Sequence, residues 1–185
     1  MIRLLGIAGS LRQGSFNRAL LRAAVELAPA ECVIDVATIE GIPLYDGDVE
    51  ADGIPQAVQF LKEKVASADG LILVTPEYNN SIPGPFKNAI DWLTRPTSDI
   101  PRLFNERPVA VCGASPGPGG TRFAQLAWVP VFRVLGMQPW FGRTLALGEA
   151  GKLFDDEGNL RDEKPREQVR KFVTGFAHFV MRARA

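Results

Sequence analysis

The chain has 185 residues, a length that predicts a single domain over residues 1–185 with a full hydrophobic core. Apolar residues make up 46% of it and charged residues 23%, as is usual for a soluble globular protein. Basic and acidic residues both number 21, and this balance argues against nucleic-acid binding, which usually needs a basic excess. No apolar run approaches the roughly 20 residues that span a bilayer, so we expect no membrane partner.

The chain has too few cysteine and histidine residues to make a zinc site or a Ser-His-Asp hydrolase a good prediction. Cys32 and Cys112 lie in separate apolar runs, which predicts buried free thiols in a cytoplasmic protein rather than a disulfide. With His178 as the only histidine, we expect no structural zinc site and no bound metal. A Ser-His-Asp hydrolase is also disfavoured, because the chain has no G-x-S-x-G elbow.

Hydrophobic periodicity predicts strands that alternate with helices along the chain. Strands are predicted at residues 2–8, 32–39, 70–74, 108–115 and 138–142. Helices are predicted at residues 17–27, 57–67, 86–94, 122–135 and 165–182. The third strand, GLILV, is apolar without alternation, which is typical of a parallel strand covered on both faces. The alternation indicates an α/β fold, a doubly wound five-stranded parallel sheet with helices on both faces.

The helix predicted at residues 86–94 carries two features of interest. Lys87, Asp91 and Arg95 are spaced at i, i+4 and i+8, which predicts a ladder of surface ion pairs. Trp92 on the same helix fits either the core or a subunit interface, and the sequence leaves both open.

Loop 1 (residues 9–17, GSLRQGSFN) follows the first strand and is rich in hydrogen-bond donors. Ser10, Arg12, Ser15 and Asn17 precede or begin a helix, whose N-terminus exposes N–H groups and a partial positive charge that suit a phosphate. The loop matches neither the Walker pattern nor G-x-G-x-x-G. A monoester phosphate is therefore the better candidate. In the simpler alternative, Ser15 or Asn17 is only a helix cap.

Two further loops follow the third and fourth strands. Loop 2 (residues 75–83, TPEYNNSIP) offers polar edges from Glu77 and Asn79 and the flat face of Tyr78. Loop 3 (residues 113–122, GASPGPGGTR) contains four glycines, which let its backbone approach a planar group closely. In a sheet of order 2-1-3-4-5, loops 1, 2 and 3 are neighbours at the topological switch point, where flavodoxin-like folds bind FMN.

These three loops together resemble the flavodoxin-like NAD(P)H-dependent FMN reductases, the group that includes bacterial quinone and chromate reductases. The resemblance implies a flavodoxin-like FMN-binding domain over residues 1–185. Loop 1 would surround the FMN phosphate, loop 2 would line the ribityl chain and the ring with a backbone N–H near flavin N5, and loop 3 would lie beside the ring. The cofactor-binding residues implied in this way are Ser10, Arg12, Ser15, Phe16, Asn17, Pro76, Glu77, Tyr78, Asn79, Ser115, Gly117, Gly119 and Gly120.

The resemblance also implies the reaction. NADPH or NADH would pass a hydride to FMN N5 in a ping-pong cycle, and a quinone or a similar small acceptor would then take two electrons. Free flavin, azo compounds and chromate are further candidate acceptors. We expect no catalytic side chain, because the cofactor carries the hydride chemistry. The resemblance further implies a cytoplasmic homodimer or homotetramer, with the helix that carries Trp92 and Arg95 near the subunit contact.

Two other functions stay open. A flavodoxin-type electron carrier would use the same flavin site without NAD(P)H, although such carriers are typically strongly acidic and this chain is neutral. A flavin-binding redox sensor would leave no mark in the sequence. A phosphatase on this fold would need a Cys or Asp nucleophile in loop 1, which has neither.

Overall fold

The structure, a computed structural model, describes residues 1–184, in which six strands form one parallel sheet. The strand order is β2-β1-β3-β4-β5, and β6 pairs with the C-terminal end of β4. This confirms the predicted order and adds one strand to it. The strands are β1 (Ile2–Ala8), β2 (Cys32–Ala37), β3 (Gly70–Val74), β4 (Pro108–Ala114), β5 (Gln138–Pro139) and β6 (Ala146–Leu147).

The strand register brings loops 1, 2 and 3 to one edge of the sheet. Ala8 at the end of β1 pairs with Val74 at the end of β3, and Val74 pairs with Cys112 near the end of β4. Because all three strands are parallel, the loops that follow them leave the sheet side by side.

Helices cover both faces of the sheet. One core cluster joins α1 and α9 to one face, and the other joins α3, α4, α5 and α7 to the opposite face. The helices are α1 (Phe16–Glu26), α2 (Gly47–Asp52), α3 (Gln56–Ala66), α4 (Gly84–Leu93), α5 (Ile100–Leu103), α6 (Arg122–Ala127), α7 (Val129–Val134), α8 (Ala150–Leu153) and α9 (Glu163–Ala183). Within residues 1–184, none of them combines the length and the apolar character that crossing a membrane requires.

The two core clusters follow from the period-2 geometry of the strands. Leu4 belongs to the α1 and α9 side and Leu5 to the α3 and α4 side, because successive side chains point to opposite faces. All five residues of β3 are buried, which confirms the prediction of a strand covered on both faces. On α9, the apolar residues along one side of the helix are fully buried: they are Val169, Phe172, Val173, Phe176 and Val180.

Several predicted boundaries were wrong. The helix predicted at residues 122–135 is split into α6 and α7 at Trp128, because Pro130 has no N–H to donate to the preceding turn. The second and fifth strands end earlier than predicted, at Ala37 and Pro139. Four short elements, α2, α5, α8 and β6, lie in segments for which no helix or strand was predicted.

Helix α4 binds the segment between β2 and α2. Trp92 is completely buried, and its Nε1 donates to the backbone oxygen of Pro43 at 2.9 Å, so the core interpretation of this residue is confirmed. The predicted ion pair between Lys87 and Asp91 forms, but the ladder stops there. Arg95 lies beyond the end of α4 and donates from Nε to Glu50 on α2 at 2.8 Å.

Candidate active site

Loop 1 is shaped by the cap of α1. Ser15 is the N-cap residue, and its Oγ accepts from the backbone N–H groups of Asn17 and Arg18 at 3.2 and 3.4 Å. The interpretation of Ser15 as a helix cap is therefore confirmed. Ser10 is buried, and its Oγ accepts from the N–H of Arg12 at 3.3 Å. Both hydroxyl groups hold the loop in a conformation that exposes its backbone donors.

The donors of loop 1 fit a phosphate group. Neither the loop nor the first turn of α1 contains an acidic residue, so the positive end of the helix is not neutralised. Within residues 1–184, no protein acceptor is found for the backbone N–H groups of Gln13, Gly14 and Ser15. Arg12 adds an exposed guanidinium group. A site with several donors and no carboxylate is the donor set that a phosphate requires.

Asn17 joins loop 1 to loop 3. Its Nδ2 donates to the backbone oxygen of Ala114 at 2.9 Å, and its Oδ1 accepts from the Ala114 N–H at 2.9 Å. Both residues are buried. The amide side chain therefore satisfies both backbone groups of a residue at the end of β4. The sequence indicated a polar residue at this position but not this partner.

Loop 2 ends in a tight turn that presents Tyr78. Tyr78 and Ser81 exchange two backbone hydrogen bonds, of 3.2 and 3.0 Å, around Asn79 and Asn80. The two asparagines have φ angles of 50° and 58°, as a type I′ turn requires, and asparagine tolerates this left-handed region better than most residues. The turn leaves the side chain of Tyr78 exposed and fixes its backbone.

Glu77 has a second structural role that the sequence did not predict. Its Oε2 accepts from the backbone N–H of Ala124 in the first turn of α6 at 2.9 Å. This carboxylate thus caps the helix that follows loop 3, which joins loop 2 to loop 3. A side chain expected only to line the cofactor is therefore partly occupied in holding two loops together.

Loop 3 approaches its neighbours so closely that only glycine fits at two positions. A Cβ atom at Gly113 would lie 2.1 Å from the backbone oxygen of Thr75, and one at Gly120 would lie 2.7 Å from the backbone of Ala146. Gly120 also has a φ angle of 65°. By contrast, a Cβ at Gly119 would meet no atom within 4 Å, so the loop is open to a ligand on that side.

Ser115 and Phe16 are partly used inside the protein. The Oγ of Ser115 donates to the backbone oxygen of Gly120 at 2.8 Å and so closes loop 3 on itself. The ring of Phe16 stacks on Phe154, with 5.8 Å between the ring centroids. Because its ring packs on Phe154, Phe16 has its backbone N–H rather than its ring to offer to a ligand of loop 1.

Both cysteines are free and buried, as predicted. Burial raises the pKa of the Cys112 thiol far above its usual value, and burial together with Glu31 raises the pKa of Cys32 to about 11. Both thiols stay protonated at neutral pH, and neither is an available nucleophile. The described residues 1–184 also contain no group of three or more His, Cys, Asp or Glu side chains arranged to hold a metal.

This geometry can be compared with known proteins. The family model described as NADPH-dependent FMN reductase matches residues 2–152, which is most of the chain and includes all three loops. The chain belongs to the NADPH-dependent FMN reductase family. Family membership agrees with the fold and with a donor-rich loop placed beside an aromatic loop and a glycine-rich loop.

Curated relatives match the chain over nearly its whole length. An NAD(P)H-dependent FMN reductase of Pseudomonas aeruginosa is 41% identical over 183 residues, which cover 99% of this chain and 97% of the relative. A quinone reductase of Pseudomonas putida is 38% identical over 179 residues, covering 97% and 95%. A quinone reductase of Escherichia coli is 35% identical over 190 residues, covering 99% and 97%.

Solved structures agree on the fold. The flavoenzyme NAD(P)H:(acceptor) oxidoreductase FerB of Paracoccus denitrificans superposes with a TM-score of 0.88 at 30% identity, over 99% of both chains. A WrbA-like flavodoxin of Agrobacterium tumefaciens gives a TM-score of 0.64 at 17% identity, over 99% of both chains. The second likeness supports the flavodoxin-like fold alone.

Proposed function

We propose that this protein is an FMN-dependent NAD(P)H oxidoreductase that passes two electrons to a quinone or a similar small acceptor. The observation that carries the proposal is the donor-rich, carboxylate-free loop 1, which is joined through Asn17 to loop 3 and leaves the same edge of the sheet as loop 2 with its exposed Tyr78. Family membership and relatives named as FMN and quinone reductases support it.

When bound, FMN supplies the exchange of two electrons that no protein side chain provides. The residues of this chain bind and orient it. Backbone N–H groups of loop 1, together with Ser10 and Arg12, would hold the phosphate. Tyr78 and the backbone of loop 2 would line the ribityl chain and the ring, and the open glycines of loop 3 would lie beside the ring. The proposed cofactor-binding set is Ser10, Arg12, Ser15, Phe16, Asn17, Pro76, Glu77, Tyr78, Asn79, Ser115, Gly117, Gly119 and Gly120.

Catalysis by this chain then consists of positioning and electrostatics. Within residues 1–184, the backbone N–H groups of Glu77 and Asn79 have no acceptor in the protein, so loop 2 has donors to direct at a ligand. The only histidine, His178, lies on the exposed side of α9 with its Nε2 3.6 Å from Glu31, away from the three loops. We therefore propose no acid or base side chain.

The test is the purified protein itself. We expect absorption at about 450 nm from bound flavin, loss of that absorption on anaerobic addition of NADPH or NADH, and its return on addition of a quinone. A protein that stays colourless and binds no added FMN refutes the whole proposal. A flavin that binds but is not bleached by either nicotinamide donor identifies an electron carrier instead. A flavin that is bleached by NADPH but reoxidised by no acceptor except oxygen favours a sensor.

We further propose that the protein is a cytoplasmic, single-domain homodimer or homotetramer. Support for an oligomer comes from large apolar side chains that are exposed along α6, α7 and the following loop. They are Phe123, Leu126, Val134 and Phe141, which are 58%, 66%, 79% and 67% exposed. A cleft of about 410 Å³ lies among them, lined by Leu126, Trp140 and Phe141. It opens beside β5, not over loops 1 and 2. Light scattering of the wild type and of Leu126→Glu tests this surface, and a wild-type monomer refutes it.

A further inference from the structure

A second cleft lies on the other side of loop 1 from loops 2 and 3, between α1 and the end of β2. It has a volume of about 350 Å³, within the range of small-ligand pockets. Its walls are of two kinds. Leu21 and Val36 provide apolar surface, and Val36 on the edge strand is 54% exposed. Ser10 and Gln13 belong both to this cleft and to loop 1.

The charged side chains of this cleft are all positive. Arg18 and Arg22 line it from successive turns of α1, and no Asp or Glu is among its lining residues. Within residues 1–184, Arg18 makes no ion pair. Arg22 donates from Nη2 to the backbone oxygens of Glu157 and Gly158 and makes no ion pair within these residues, although it also lines a smaller cleft that contains Asp155, Asp156 and Glu157. Two like charges at i and i+4 destabilise a helix unless an anion lies between them.

Loop 1 by itself favours a monoester phosphate, and it is the position of the adjoining cleft that adds room for a second one. Because Ser10 and Gln13 are shared, a group in the cleft is contiguous with a phosphate in loop 1. A second phosphate attached to the first would meet Arg18 and Arg22, and a planar base beyond it would meet Val36. Resting on the proposed function, we infer that this cleft takes the adenosine-phosphate half of FAD, so that the protein binds FAD as well as FMN through one flavin site.

The experiment compares two ligands on the same protein. Dissociation constants of FAD and FMN are measured by flavin fluorescence for the wild type, for Arg18→Ala and for Val36→Asp. We expect the wild type to bind FAD within about tenfold of FMN. Arg18→Ala should weaken FAD binding by about fivefold to tenfold and change FMN binding by less than about twofold, because a charge-assisted hydrogen bond reaches only the second phosphate. Val36→Asp should act in the same direction.

Arg182 is the matched control for the loss of one positive charge. It is exposed near the end of α9, two residues after Val180, which packs against Gly70 at the start of β3 and so at the opposite end of the sheet from the three loops. Arg182→Ala should leave the FAD and FMN constants equal to those of the wild type. An equal effect of Arg18→Ala on both flavins overturns the inference, because Arg18 would then act on the first phosphate. So does wild-type FAD binding that is more than about a hundredfold weaker than FMN binding.

Steady-state kinetics distinguish FAD from the other ligand that carries an adenosine phosphate, the nicotinamide donor NADPH. If Arg18→Ala raises the KM for NADPH but not that for NADH in the FMN-loaded protein, the cleft serves the phosphate of the nicotinamide donor, and the FAD assignment falls. Failure of the proposed function looks different: neither flavin binds to any of the proteins. A protein that binds and reduces FMN but fails the FAD comparison refutes this inference alone.

Discussion

The pairing between Asn17 and Ala114 gives the sharpest test of how the site is held. Asn17→Asp is nearly isosteric, and it keeps the oxygen that accepts from the Ala114 N–H. The other oxygen of the new carboxylate replaces Nδ2 and faces the backbone oxygen of Ala114, where the wild type has a hydrogen bond of 2.9 Å. A buried donor is thus exchanged for a second buried acceptor.

The size of the effect follows from burial. Asn17 is only 4% exposed and Ala114 2%, so water does not replace the lost donor. Leaving a buried acceptor unpaired costs about 1–3 kcal/mol of unfolding free energy. For a chain of this size, that corresponds to a fall in Tm of roughly 2–12 °C. The new negative charge also lies in loop 1, and repulsion of a phosphate there should weaken FMN binding by about tenfold or more.

Asn88 provides a matched control with the same bonding pattern. Its Nδ2 donates to Pro43 and its Oδ1 accepts from the Tyr45 N–H, both at 2.8 Å, but this pair lies at the surface. Asn88→Asp should change the unfolding free energy by less than about 0.5 kcal/mol and leave FMN affinity unchanged, because water reaches the groups. Urea unfolding of the apoproteins and flavin fluorescence titration measure the two quantities separately.

The pH dependence of the same variant has a defined sign. Burial and the facing carbonyl disfavour the charged form of the new carboxyl group, whereas the Ala114 N–H and the N-terminus of α1 favour it. If the lost hydrogen bond dominates, as we expect, the folded-state pKa lies above the unfolded value. The loss of unfolding free energy relative to the wild type is therefore complete above that folded-state pKa. It shrinks as the pH falls through this pKa, because the protonated acid again donates a hydrogen bond to the backbone oxygen of Ala114. Equal stability of Asn17→Asp and the wild type at neutral pH would refute the structural role. Unchanged FMN affinity would refute the placement of the phosphate.

Two further predictions concern glycine packing and acid stability. Gly113→Ala should lower the unfolding free energy by about 1–3 kcal/mol, because its Cβ would lie 2.1 Å from the backbone oxygen of Thr75. The control is Gly119→Ala, whose Cβ would meet no atom within 4 Å and which should leave the unfolding free energy in urea unchanged. Equal effects of the two substitutions would contradict the close approach at Gly113. The hydrogen bond from Arg95 lowers the pKa of Glu50, so the stability that Glu50 contributes is present at neutral pH and is lost as the pH falls through its lowered pKa. The difference in unfolding free energy between the wild type and Glu50→Gln should therefore vanish in acid. A difference that stays constant with pH would exclude the pair of Glu50 and Arg95 as its source.

Long-range architecture was the most predictable part of the structure. The apolar run of β3 and the stripe of α9 determine which surfaces must be buried, and alternating strands and helices allow few strand orders. Short elements were not predictable in this way. The two residues of β6 carry no periodicity and exist because the backbone N–H groups of Gly113 and Ser115 at the end of β4 donate to the backbone oxygens of Leu145 and Leu147. Helix α2 did leave a signal, since Asp46 is an N-cap residue followed by acids in the first turn.

The site was predictable by residue type and not by partner. Donors in loop 1 follow from the sequence, because a helix N-terminus after a strand suits an anion. The hydrogen-bond partner of each polar side chain cannot be predicted from the sequence, because an amide such as that of Asn17 can bind a phosphate or a backbone peptide group equally well. Its actual partner lies 97 positions along the chain. The capping of α6 by Glu77 escaped prediction for the same reason, as that contact spans 47 positions.

The distance between Asn17 and Ala114 along the chain also sets the order of assembly. A nascent polypeptide that has not yet extended past β4 contains the donor loop but lacks the residue that fixes it, so cofactor capture has to await translation of more than half of the protein. Contacts of such high sequence separation form slowly. During refolding from urea, flavin uptake should accordingly trail the early rise of helical signal from α1.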